Sequence, residues 1–97
     1  MDAQIAQRET IKSVNNLKAF FGVEHFAKVV KMCRNAKELA EFFEAMDVMR
    51  MQAGSAQFKA LTFAFVIVNN AVVDGRIDGD TARALADKVI AWWRYYE

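Results

Sequence analysis

Three aspartates, Asp74, Asp78 and Asp80, stand close together around Gly75 and Gly79, and carboxylates at such spacing are the raw material of a calcium loop. That chemistry needs oxygen side chains at the first, third and fifth loop positions and a bidentate Glu at the twelfth, around a glycine at the sixth. With Gly75 as that glycine, the four places fall to Asn70, Val72, Asp74 and Thr81, so two key ligands are missing. The aspartates read instead as helix caps and solvated turn residues, and no metal or other cofactor is expected.

His25 is the single histidine and Cys33 the single cysteine. Zinc takes about four ligands, or three and a water, and these two side chains project from opposite faces of one helical segment. A catalytic histidine would need a carboxylate such as Glu24 or Glu44 brought to it from elsewhere. His25 therefore reads as a surface residue. Cys33 falls on an apolar stripe and reads as a buried thiol; a reactive one would need exposure and cationic neighbours. No catalytic residue is expected, and the chain does not read as an enzyme.

Lys28, Lys31, Arg34 and Lys37 form the one basic cluster, suited to phosphate or to an acidic protein surface. The helix that follows carries Glu38, Glu41, Glu44 and Asp47, which would repel a phosphate backbone. No run of Arg, Asn or Gln is poised for base edges. Nucleic acid is thus the alternative partner and the disfavoured one.

The end of the chain, Trp92-Trp93-Arg94-Tyr95-Tyr96, carries the residue types enriched at interface hot spots. Neighbours on a helix diverge by about 100°, so these rings cannot all face one core. With Trp93 and Tyr96 inward, Trp92, Arg94 and Tyr95 are expected to meet a partner, either another protein or a second copy. The competing reading has the N-terminal segment wrap this end and bury both sets. Met46, Met49 and Met51 offer adaptable surface or core filling.

The elements that position these residues read as helices. Phe58 to Val73 is apolar all round, which requires cover on every side; interrupted by Asn69 and Asn70, it reads as too short and too polar to span a bilayer. It is expected as the central rod of a compact all-α bundle of five helices forming one domain, residues 1–97. A β-strand over 62–68 is the rival reading, but no second run of like character exists to pair with it.

The first helix is expected from about Ala3 to Phe21, with Ile11, Val14, Leu17 and Phe21 inward, Ile5 and Ala6 prolonging the stripe, and Arg8, Glu9 and Lys12 outward. The second should bury Val23, Phe26, Ala27, Val29, Val30 and Cys33. Asn35 and Glu38 have the form of a capping box for the third, which should bury Leu39, Phe42, Phe43, Met46 and Met49 and leave Glu38 in water. Gly22, Gly54 and Gly75 look like helix ends, with Ser55 as the next N-cap. The last helix should start at Asp78 or Asp80 behind a hydrophobic staple at Ile77 and bury Leu85, Val89, Trp93 and Tyr96.

Composition sets the outer limits. The chain has 97 residues, 55% of them hydrophobic and 26% charged, with 13 basic and 12 acidic residues and a net charge of +1. That balance fits a folded globule with apolar surface to spare, without the field of a dedicated nucleic-acid binder. Proline is absent, which favours helices over hairpins. An unpaired cysteine and an N-terminus without a basic-then-apolar run point to the cytoplasm and away from a membrane. The expectation is a small non-catalytic protein-binding regulator, inhibitor or adaptor, of the type of phage or plasmid inhibitors and immunity proteins.

Overall fold

The structure, a computed structural model, describes the backbone of residues 3–97 and the side chains from Val14 onward. The faces expected for Ile5, Ala6, Arg8, Glu9, Ile11 and Lys12 lie outside the described side chains. Among the described residues the fold is all-helical, with four helices and no strand: α1 (Ala3–Met32), α2 (Ala36–Met51), α3 (Ser55–Val73) and α4 (Gly79–Tyr96).

Four helices replace the five expected because Gly22 bends the chain without opening a loop. It sits at φ 81°, ψ 160°, a conformation only glycine adopts without strain, and helix runs on directly from both sides of it. The bend also resets which face is buried. Before it Leu17 and Phe21 are enclosed; after it Val29, Met32 and Cys33 are enclosed, while Val23, Ala27 and Val30 face outward. The apolar stripe of this second half is wider than the strip its neighbours cover.

Local chemistry sets the remaining boundaries. Asn35 caps α2 by accepting from the Glu38 amide at 2.9 Å. The return half of the expected capping box is absent, since the Glu38 carboxylate accepts from the Arg34 amide instead. Gly54, at φ 72°, takes the N-cap position of α3 in place of Ser55, which is already helical. Gln57 secures that turn: its side-chain amide, buried, donates to the Met49 carbonyl at 2.8 Å. At the far end of α3, the amides of Gly75 and Arg76 return to the carbonyls of Val72 and Ala71, the bond pattern of a Schellman cap. Asp78 then caps α4 by accepting from Thr81 at 2.7 Å, and Ile77 just before it is buried as a staple residue should be.

All four helices contribute to one core. Its fully enclosed large side chains are Leu17, Phe21, Val29 and Met32 from α1, Phe42, Met46 and Met49 from α2, and Leu85 and Val89 from α4. The helix expected to be enclosed on every side is covered on one side only. α3 turns in Ala60, Ala64 and Ala71 with Leu61, Ile67 and Val68, and leaves Phe58, Phe63, Val66, Val72 and Val73 exposed. Small residues on the inner face let neighbouring backbones approach closely, and the bulkier phenylalanines have nowhere to go but out.

Candidate interaction surface

The exposed side of α3 is the largest stretch of uncovered apolar surface that one described helix presents. At about 100° per residue its buried positions span about a third of the circumference. The remainder carries Phe58, Thr62, Phe63, Val66, Asn69, Asn70, Val72 and Val73, with Lys59 as its one charge and Phe65 half-covered at its edge. Phe58 is 61% exposed, Val66 48% and Val73 76%. Single exposed apolar residues are ordinary, but this many on one helix make a candidate interaction surface. By length and composition α3 would also suffice to cross a membrane, contrary to the reading of Phe58 to Val73 as too short: the helix begins at Ser55.

A groove of about 380 Å³ borders this face, lined by Glu41, Glu44, Ala45 and Val48 of α2 and by Ala56, Lys59, Ala60 and Phe63 of α3. Its floor is apolar, and Lys59 faces the two glutamates across it.

The aromatic end of α4 divides differently from expectation. Trp92 is 5% exposed and donates its indole N–H to the Met46 carbonyl at 2.7 Å, so it is a core residue. Its ring meets Phe20 and Tyr96 edge-on. Trp93 and Tyr96 are half-buried against the same core. Arg94 is exposed, and Tyr95, 80% exposed, leans edge-on against Tyr96. Of Trp92, Arg94 and Tyr95, only the last two stand where a partner could reach them. The inward positions 85, 89, 92 and 96 keep helical spacing, as 85, 89, 93 and 96 would too, and the packing of α4 on α2 selects Trp92 over its neighbour.

The basic cluster is split by its own salt bridges. Arg34 is bound to Glu38, with Nε 2.8 Å and Nη2 2.7 Å from one carboxylate oxygen. Glu38, expected in water, is buried, and its other oxygen lies 3.8 Å from Arg76 Nη2. Arg76 in turn donates Nε–H to the Met32 carbonyl at 2.8 Å and pairs with Asp74. This chain of charges ties the α3–α4 turn to the end of α1, where Arg76 satisfies one of the last carbonyls of the helix.

Lys28 and Lys31 line a separate cleft of about 360 Å³ with Gly75, Arg76, Ile77, Asp78 and Thr81. Its carboxylate, Asp78, is held below its ordinary range first by the Thr81 amide it accepts from, with the two lysines adding to the effect. Lys37 is exposed, away from that cleft.

The remaining candidates are placed simply. His25 is half-buried, and Cys33 is buried, its thiol pushed up to about 12, mainly by burial and then by the nearby Glu38 charge. Asp74 and Asp78 spend their oxygens on Arg76 and Thr81, and Asp80 is exposed in the first turn of α4. Among the described residues no three of His, Cys, Asp and Glu are grouped to hold a metal ion.

Sequence reasoning missed the outer face of α3. The signal is in the sequence, since the segment lacks any polar face and a chain of 97 residues has little left to cover all of it. Comparison with protein families, with curated proteins and with solved structures finds no match for this chain.

Proposed function

We propose that the chain is a small non-catalytic protein-binding module, a regulator, inhibitor or adaptor, that engages its partner through the outer face of α3. The observation that carries this reading is the exposure of Phe58, Phe63, Val66, Val72 and Val73 on one helix whose opposite side is already packed. Water-exposed apolar surface on that scale is stabilised by burial, at roughly 25 cal/mol per Å² removed from water. Arg94 and Tyr95 form a second accessible pair of hot-spot residues.

The nucleic-acid alternative draws less support. Arg34 is already paired with Glu38, and the two lysines that share a cleft share it with Asp78. Its mark would be binding that weakens steeply with added salt.

Affinity capture from the native host's extract tests the proposal, with the wild-type chain beside Phe63→Glu. The variant should keep its helical circular dichroism and melting temperature while losing the captured protein. An unchanged catch by Phe63→Glu would rule out this face as the binding surface.

A further inference from the structure

The outer face of α3 has an internal symmetry that bears on what covers it. Val66 is the midpoint of the exposed stretch from Phe58 to Asp74, and along it complementary side chains stand within one residue of equal distances on either side. Toward the N-terminus come Thr62, Lys59 and Phe58. Toward the C-terminus come Asn69, Val73 and Asp74. Around the helix, at about 100° per residue, Thr62 and Asn69 lie on one flank of Val66, and Lys59 and Asp74 lie on the other.

From this we infer that the occupant of the face is a second copy of the chain, packed antiparallel about a two-fold axis at Val66; the inference rests on the reading of α3 as the binding surface. A two-fold perpendicular to both helices keeps each flank opposite the same flank of its mate. It therefore brings Thr62 of one copy to Asn69 of the other, and Lys59 of one to Asp74 of the other. Each pairing occurs twice, as an isologous interface requires.

The chemistry of each pairing is favourable. The Thr62 hydroxyl already donates to the Phe58 carbonyl at 3.1 Å, so its lone pairs remain to accept from an Asn69 amide. Lys59 meets a carboxylate in place of another lysine, and Asp74 keeps Arg76 as a neighbour. Valine meets valine at the axis, and Phe58 at each end covers Val73 of the mate. In a parallel pairing Lys59, near the centre line of the face, would instead come level with Lys59 of the mate, and like charges opposite one another are penalised.

Size sets the strength. A helix of 19 residues is about 28 Å long and about 10 Å across, so this face and its flanks lie at the low end of specific interfaces. The dimer is accordingly reversible, with a dissociation constant expected in the micromolar range.

Sedimentation equilibrium from roughly ten micromolar to one millimolar tests this, because a constant in that range is populated from both sides. The wild-type chain should move from monomer to dimer with no higher species. Val66→Glu sets two carboxylates against each other at the axis and should weaken dimerisation at least roughly a hundredfold, with an unchanged melt. Under mild oxidation Val66→Cys should cross-link to itself, and the wild type, whose cysteine is buried, should not. Lys59→Cys mixed with Val73→Cys should give the mixed disulfide in preference to either self-pair.

A chain that stays monomeric throughout overturns the proposal. So does dimerisation that Val66→Glu leaves intact, or self-linking of Lys59→Cys in preference to the mixed pair. A monomer that floats with phosphatidylcholine vesicles through α3 would assign the face to lipid instead. If the chain is monomeric while Phe63→Glu still loses a captured protein, the proposed function stands and only the second copy fails.

Discussion

The indole N–H of Trp92 on α4 and the main-chain oxygen of Met46 on α2 share a hydrogen bond of 2.7 Å inside the core. It joins two helices far apart in sequence, and Met46 is itself fully enclosed. The oxygen is doubly committed, because a mid-helix carbonyl also accepts from the amide four residues on. Trp92 is therefore held by packing and by orientation together.

Substitution separates the two contributions. Trp92→Phe keeps most of the apolar bulk and removes the donor, for a loss of about 1 kcal/mol, the usual net value of a neutral hydrogen bond. Trp92→Ala also opens a cavity and should cost about 3–5 kcal/mol. Tyr95→Ala, at an exposed position three residues on, should stay within about 0.5 kcal/mol of wild type. Urea denaturation of the three variants checks the order; a Tyr95→Ala loss as large as that of Trp92→Ala would mean that both rings belong to the core.

Buried Glu38 is the hinge of a second prediction. Its carboxylate lies 3.8 Å from Arg76 Nη2, which is buried and has no hydrogen-bond partner among the described residues. Glu38→Ala would leave that guanidinium half-compensated and would free Arg34. Breaking a buried pair from one side typically costs about 3–5 kcal/mol, and the lower end applies because Asp74 still pairs with Arg76. Replacing Glu38 and Arg76 together, as Glu38→Gln with Arg76→Met, should cost less than the sum of the single changes. Additive losses in a double-mutant cycle would show that the two side chains act independently.

The helices, their caps and the glycine breaks were legible because each depends on a few adjacent residues. Asn35, Asp78, Ile77, Gly54 and Gly75 mark boundaries through bonds made within one turn of chain. What could not be read depended on partners distant in sequence. Glu38 looks like a solvent residue until Arg76 arrives from the α3–α4 turn. Trp92 and Trp93 have the same chemistry and differ by one position, so only the packing of α4 on α2 separates them. For α3 the composition shows an apolar helix and cannot show which side of it the neighbouring helices cover. Three neighbouring helices reach only its alanine side, and the face left over is the candidate site.

Cys33 gives a chemical readout of the core. Its thiol is pushed from an ordinary 9.0 to about 12 by burial first and then by the Glu38 charge, with Arg76 opposing. That rise lowers the thiolate fraction near neutral pH about a thousandfold, and the thiolate is the reactive form. Alkylation by iodoacetamide should therefore be very slow in the native chain and rise to the rate of a free thiol in urea. The sign of the pH effect follows from the same shift: the folded thiol stays neutral while the unfolded one ionises. Its contribution to stability is complete below about pH 9 and declines as pH rises toward 12. Fast native-state alkylation at neutral pH would show that the thiol is accessible.

Gly22 carries the last prediction, because it decides whether the two halves of α1 can both reach the core. Its φ of 81° with ψ of 160° lies in a region essentially closed to side-chain-bearing residues, although a Cβ there would meet nothing within 4 Å. The obstacle to substitution is backbone strain alone, with no clash to relieve. Gly22→Ala should cost about 1–3 kcal/mol if the bend is kept. The alternative for the variant is to straighten, gaining the better helix propensity of alanine, worth about 1 kcal/mol. Straightening would rotate the second half of α1 relative to the first, so that Val29 and Met32 could no longer enter the core alongside Leu17 and Phe21. Two bulky, fully enclosed side chains are worth more than the strain, so the bend should survive. The expected result is a lower melting temperature with unchanged helical content and no new exposure of Cys33 to alkylation. A gain in stability, or a native Cys33 that reacts freely in Gly22→Ala, would show that the halves of α1 do not depend on the bend for their places.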